Sequence, residues 1–250
     1  MQGSLWKHGS LLATLGLFLG LAAGCGGGGG GGSAGGTVFP LATRLATLQP
    51  GNTWTYSVTG NGTVNGQAVT VSGTITISVA QATLNGQAVL AQTIAENFSL
   101  NNGGTFAQNT TTYYIQDPNT GDVKEVGDLP SGGNTARTLN SPLLVVPGSW
   151  STASSYDNLG TFNTGDTIHR TFTIEGTQVV TTPSGTFTAW KVAVSQTANT
   201  GGTVAESNVT WWFAPEMGWL IQTSGTASSA DGSTTLTITG SLTSTNLPVH

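Results

Sequence analysis

Cys25 is the one cysteine of the 250-residue chain, so its thiol has no disulfide partner within the molecule. In an oxidising compartment an unpaired thiol is reactive, which makes modification of the sulfur the first chemistry to consider. Histidine supplies little: His169 is the one imidazole between the amino-terminal segment and the final residue, His250. A zinc site needs several Cys or His ligands, and this chain cannot assemble one. Asp117, Asn119, Asp122 and Glu125 place oxygen donors close together, the ligand class calcium takes, but Pro118 and the missing twelve-residue spacing depart from an EF-hand loop. No Ser-His-Asp spacing is present, so no catalytic, cofactor-binding or metal-binding residue is assigned. The eleven Asp and Glu residues leave open a secreted hydrolase built from carboxylates that folding brings together. Tryptophan is in excess, and Trp211, Trp212 and Trp219 are candidates for stacking on a sugar ring or peptide. The competing account of those three is burial, because large aromatics normally fill cores.

The residues before Cys25 give its thiol a context. Lys7 and His8 precede an uncharged apolar run over 11–23, which ends in Leu21-Ala22-Ala23-Gly24. A basic start, a short apolar middle and small residues at the cut are the parts of a secretory signal peptide. The run falls short of the roughly 20 apolar residues that cross a bilayer. With cysteine directly after it, the segment resembles the lipobox of bacterial lipoproteins, although Leu21 sits one place further from Cys25 than in the commonest form. That resemblance implies cleavage after residue 24, with acyl chains such as palmitate on the Cys25 sulfur and the new amino terminus. Glycine rather than an acidic residue at position 26 implies, by the same analogy, the outer membrane. Two or more acyl chains make a stable anchor where one does not.

Residues 25–36 are almost entirely glycine, with nothing apolar to repay the entropy of ordering. They are expected to form a disordered tether with a root-mean-square reach of roughly 18 Å. The run satisfies a Gly-x-Ser-x-Gly pattern at 31–35 and a dinucleotide fingerprint at 26–31. Both patterns require a strand before and a helix after, and neither flank qualifies. The net charge is −5 and no basic cluster occurs, which excludes nucleic acid as a partner. The partner expected instead is a membrane, through the Cys25 lipid, with a glycan or protein ligand left unassigned.

Residues 37–250 form one domain by length, and their Thr, Val, Ile and Trp content marks it as all-β. Val69, Val71, Ile75, Ile77 and Val79 alternate with Thr and Ser, as do Leu236, Ile238 and Leu242, giving strands with one wet face. Trp54 and Tyr56 point the same way. Asn65-Gly66 and Asn85-Gly86, each inside the repeated pentapeptide Asn-Gly-Gln-Ala-Val, favour two-residue type I′ hairpins. A third hairpin is expected at 117–122. Alternation puts His169 on the solvent face of its strand and Arg170 on the apolar face, at a sheet edge. A short helix is expected over 43–48. The whole reads as an antiparallel meander, with curved sheet, open barrel and sandwich all open.

Three stretches, Gly51-Asn52-Thr53-Trp54-Thr55-Tyr56, Pro183-Ser184-Gly185-Thr186-Phe187 and Trp212-Phe213-Ala214-Pro215-Glu216-Met217-Gly218-Trp219, resemble motifs of a group of largely uncharacterised bacterial envelope lipoproteins with an antiparallel β domain. The resemblance implies a turn that opens a strand at Gly185 and a bend at 214–218. Trp219 stands where that group commonly has an aliphatic residue. Three functions follow as expectations: a non-catalytic lipid-anchored envelope protein with a binding or structural role, a carbohydrate-recognition or adhesion module, and the carboxylate hydrolase.

Overall fold

The computed structural model describes residues 47–101, 103–214 and 217–247, together with the backbone of Val38–Phe39. Cys25, the tether and most of the expected 43–48 helix lie outside the described residues. Thirteen strands run in chain order: β1 (Val38–Phe39), β2 (Thr53–Val64), β3 (Gln67–Leu84), β4 (Gln87–Leu100), β5 (Thr105–Gln116), β6 (Val123–Leu129), β7 (Arg137–Val146), β8 (Ser155–Thr161), β9 (Thr167–Thr182), β10 (Gly185–Thr200), β11 (Thr203–Ala214), β12 (Trp219–Ser229) and β13 (Thr234–Thr245). No α-helix occurs among the described residues.

From β2 to β13 every hairpin partner is its sequence neighbour, and β13 pairs back onto β2. The sheet is therefore an up-and-down meander rolled into a nearly closed barrel, which resolves the architecture left open by the alternation. Its one unsealed seam lies between β7 and β8, where a single isolated bridge, Leu139 with Phe162, joins the two edges. β1 lies off this path and pairs in parallel with Thr186 and Phe187 of β10.

Turn chemistry sets the register. Asn65 and Gly66 have φ of 50° and 75°, and Asn85 and Gly86 have 48° and 82°. Both central residues of each two-residue loop are thus left-handed, as a type I′ turn requires. Val64 then faces Gln67 and Leu84 faces Gln87. The 117–122 hairpin forms as expected, and Gly185 opens β10 at the Pro183 turn.

Alternation sends Val69, Val71, Ile75, Ile77 and Val79 into the core, each 4% exposed or less. Gly73 interrupts that row because a Cβ there would stand 2.0 Å from the Asn97 carbonyl oxygen and 2.7 Å from the Phe98 ring. Glycine inside a strand marks a tight bend, and here it lets β3 curl against β4. Trp54 and Tyr56 both point inward and tie β2 to the start of β12: Trp54 Nε1 donates to the Met217 carbonyl at 3.0 Å, and the Tyr56 hydroxyl to the Leu220 carbonyl at 2.8 Å.

Candidate functional site

The barrel interior is apolar except for a polar lane, and that lane holds the most unusual chemistry of the chain. Arg170 on β9 is fully buried on the inner face, as alternation expects. It does not sit at a sheet edge, since β9 pairs with both β8 and β10. Its Nε donates to Gln196 Oε1 at 2.7 Å, and its Nη2 donates to Glu125 Oε2 at 3.3 Å. Glu125 lies on β6, so this ion pair reaches across the β7/β8 seam from inside. Burial raises the Glu125 carboxyl above its ordinary value, while the Arg170 charge opposes the rise.

Tyr114 on β5 is the cross-strand partner of Glu125 and is fully buried. Its ring packs 6.0 Å from that of Trp219, which joins the β5 wall to the β12 wall. Desolvation raises its phenol, and the Glu125 charge adds to that effect. Further along β4, Glu96 accepts from Gln108 Nε2 at 2.5 Å, and burial pushes its carboxyl up to about 8 from 4.5. Buried polar atoms are normally hydrogen-bonded. Here Arg170 Nη1, Trp219 Nε1, Trp211 Nε1 and both amide atoms of Gln92 are buried with no partner among the described residues, whereas Thr112 hydrogen-bonds the Tyr114 hydroxyl and works against the rise in its pKa.

Beside this lane, at the end of the barrel carrying the β3–β4 and β5–β6 turns, lies a cavity of about 520 Å³. Its lining is mixed, with Leu48, Val89, Leu90, Ile115 and Pro118 alongside the polar Thr47, Gln81, Gln116 and Asp117, and Tyr114 contributes to it. Leu48 is held over it by its N–H, which donates to Gln116 Oε1 at 2.9 Å. The volume falls in the range of small-molecule pockets.

The seam has its own polar clasp. Arg137 on β7 holds Asp128 through two bonds, Nε to Oδ1 at 2.9 Å and Nη2 to Oδ2 at 2.6 Å, and reaches Asp166 in the β8–β9 turn with Nη1 at 2.5 Å. Its guanidinium carbon also stands 4.3 Å from the Phe162 ring centroid. Burial works against the Asp166 charge, but donors from Gly201, Thr164 and Arg137 hold its carboxyl below the ordinary range.

The tryptophans proposed as a stacking platform are buried. Trp211, Trp212 and Trp219 are 2%, 8% and 1% exposed. Trp211 and Trp219 pack against Phe213 inside the barrel, and Trp212 turns the other way to donate to Gln178 Oε1 at 3.0 Å. Burial, the competing account, describes all three, because each ring is taken up by protein neighbours and leaves no open face for a sugar. The calcium donors also diverge: Asp117 accepts from the N–H groups of Asn119 and Thr120, Asp122 accepts from Gly148, and Glu125 faces the interior. Among the described residues no group of three or more His, Cys, Asp or Glu is placed to hold a metal ion.

His169 lies on the solvent face, where the alternation put it. The structure adds a partner the spacing did not show: its Nε2 is 2.6 Å from Asp157 Oδ1 on β8. The register of the β8–β9 hairpin, with Leu159 opposite His169, creates this diagonal pair. Both side chains are open to water, 50% and 74% exposed, on a convex face.

No family model matches the chain, and no curated protein matches it. Two solved structures are similar to it. A protein of Bacteroides fragilis NCTC 9343, described as exported and of YmcC-like fold, shares 12% identity with a TM-score of 0.42, over 82% of this chain and all of that one. A Parabacteroides distasonis ATCC 8503 protein described as a lipoprotein shares 12% identity with a TM-score of 0.39, over 82% and 99% of the two chains.

Proposed function

We propose that the chain is a lipid-anchored protein of the bacterial envelope, held at the outer membrane through acyl chains on Cys25, whose barrel serves as a non-catalytic binding domain. The observation that carries the anchor is the Leu21-Ala22-Ala23-Gly24-Cys25 sequence followed by seven glycines. Binding is supported by the cavity at the barrel end. The arrangement of the acids argues for structural rather than hydrolytic work: Glu96 is tied to Gln108, Glu125 to Arg170 and Asp128 to Arg137. His169 and Asp157 form an oriented pair in open solvent, whereas a general base works in a pocket beside its substrate.

The test is metabolic labelling with palmitate and membrane fractionation of the wild type and Cys25→Ser. The wild type should carry label and sediment with outer membranes, and the variant should do neither. A variant that remains membrane-bound, or a wild type without fatty acid, removes the anchor.

A further inference from the structure

Strand direction sorts the turns of the meander onto two ends of the barrel. One end carries the β2–β3, β4–β5, β6–β7, β8–β9, β10–β11 and β12–β13 turns; the other carries the β3–β4, β5–β6, β7–β8 and β9–β10 turns, with the start of β2 and the close of β13. The chain enters the barrel at the second end. β1 pairs there with Thr186 and Phe187, beside the β9–β10 turn. In that turn the Ser184 N–H donates to the Leu242 carbonyl at 3.3 Å, and Leu242 pairs with Tyr56 near the start of β2. Leu48 is fixed at the same end by Gln116, the last residue of β5. Residues 25–36 lead into this point, and a glycine coil of that length has a root-mean-square reach of roughly 18 Å. The barrel is taller than that: the 12 residues of β2 rise roughly 40 Å along the strand, or about 30 Å along the axis at the usual tilt.

We propose that the barrel is held with this entry end turned toward the lipid surface, and with the β2–β3 and β12–β13 turns pointing away from it. The inverted placement would draw the tether past the whole barrel, close to the full extension of about 45 Å between Cys25 and Val38. The upright placement leaves the coil its conformational freedom, so chain entropy favours it. Electrostatics contribute no grip at this end. Asp117 and Asp122 lie in the β5–β6 turn, and the lysines described there are paired, Lys124 with Asp122 at 3.8 Å and Lys191 with Glu175 at 2.7 Å. Anionic headgroups are held by clusters of Lys and Arg, and the described residues form none here. The point of entry and the reach of the tether therefore set the orientation.

This proposal rests on the lipid anchor assigned above. The repeated pentapeptide supplies matched probes, since Gln67 follows the turn at the far end, Gln87 follows the turn at the entry end, and both are exposed. The acylated full chain carrying Gln67→Cys or Gln87→Cys, labelled with a donor dye, is bound to vesicles of phosphatidylethanolamine and phosphatidylglycerol that contain acceptor-labelled headgroups. The 18 residues of β3 separate the two probes, so energy transfer from position 87 should exceed that from position 67 by roughly twofold or more. Adding about 50 glycine and serine residues to the tether brings its root-mean-square reach to roughly 40 Å, comparable to the barrel itself, and the two positions should then transfer almost equally. Equal transfer with the native tether, stronger transfer from position 67, or a contrast that survives the long tether each overturns the proposal. Any of these can occur with Cys25 acylation intact, whereas a wild type without fatty acid removes the anchor and this orientation with it, so the two failures are distinguishable.

Discussion

Replacing Glu96 by Gln should abolish a pH dependence of stability that the buried carboxyl imposes on the barrel. Glu96 is 1% exposed and its carboxyl is pushed up to about 8 from 4.5. Between those values the folded protein keeps a proton that the unfolded chain has released. The native state thus binds more protons, and stability falls as pH rises through that window. One pH unit is worth about 1.4 kcal/mol per group, so the loss over the full interval is about 5 kcal/mol. Glutamine keeps an acceptor for Gln108 Nε2 but cannot ionise. Glu125 and Asp128 also have raised carboxyls and add slopes of their own, so the informative quantity is the difference between wild type and variant. Urea unfolding from about pH 4 to about pH 9 should show the wild type losing about 5 kcal/mol relative to Glu96→Gln, with the curves parallel above and below the window. A difference that stays constant across the range would mean that Glu96 is ionised inside the fold, and the reasoning from burial would be wrong.

Removing the seam clasp with Arg137→Ala leaves Asp128 buried and unpaired, and should cost about 3–5 kcal/mol by chemical denaturation; a loss under about 1 kcal/mol would show that the clasp contributes little. Gly73→Ala forces a Cβ to within 2.0 Å of the Asn97 carbonyl oxygen and should destabilise by about 1–3 kcal/mol, read from melting. Gly66→Ala meets no atom within 4 Å, so its cost comes only from the left-handed φ of 75° and should be about 1 kcal/mol in the same assay. If Gly66→Ala proves the more damaging of the two, the bend at Gly73 is softer than its contacts imply.

Local chemistry was the legible part of this fold. Asn-Gly dipeptides announced two hairpins because few residues tolerate two consecutive left-handed conformations, and alternation named the inner face of β3 and β13. Arg170 was placed on that inner face correctly, yet its strand is interior to the sheet, since period-two patterning carries no information about neighbouring strands. Barrel closure was invisible for the same reason: nothing in Thr234–Thr245 says that it will pair with Thr53–Val64. The Asp157–His169 pair and the Arg137 clasp depend on register and on a seam between distant turns, which single-strand patterns do not encode. The buried lane was hidden by composition, because isolated Gln, Glu and Tyr residues in alternating strands look solvent-facing until the opposing wall is known.

Closure by the first and last long strands also orders events in time. Asn246 bonds to Gly51 across 195 positions of sequence, so the contacts that seal β2 to β13 are among the most non-local the chain makes. Such pairings pay loop-closure entropy before they return any stabilisation, and they form late. During synthesis β2 emerges long before β13 exists to receive it, so the barrel cannot seal until the last long strand of the chain is available to pair with Thr53–Val64.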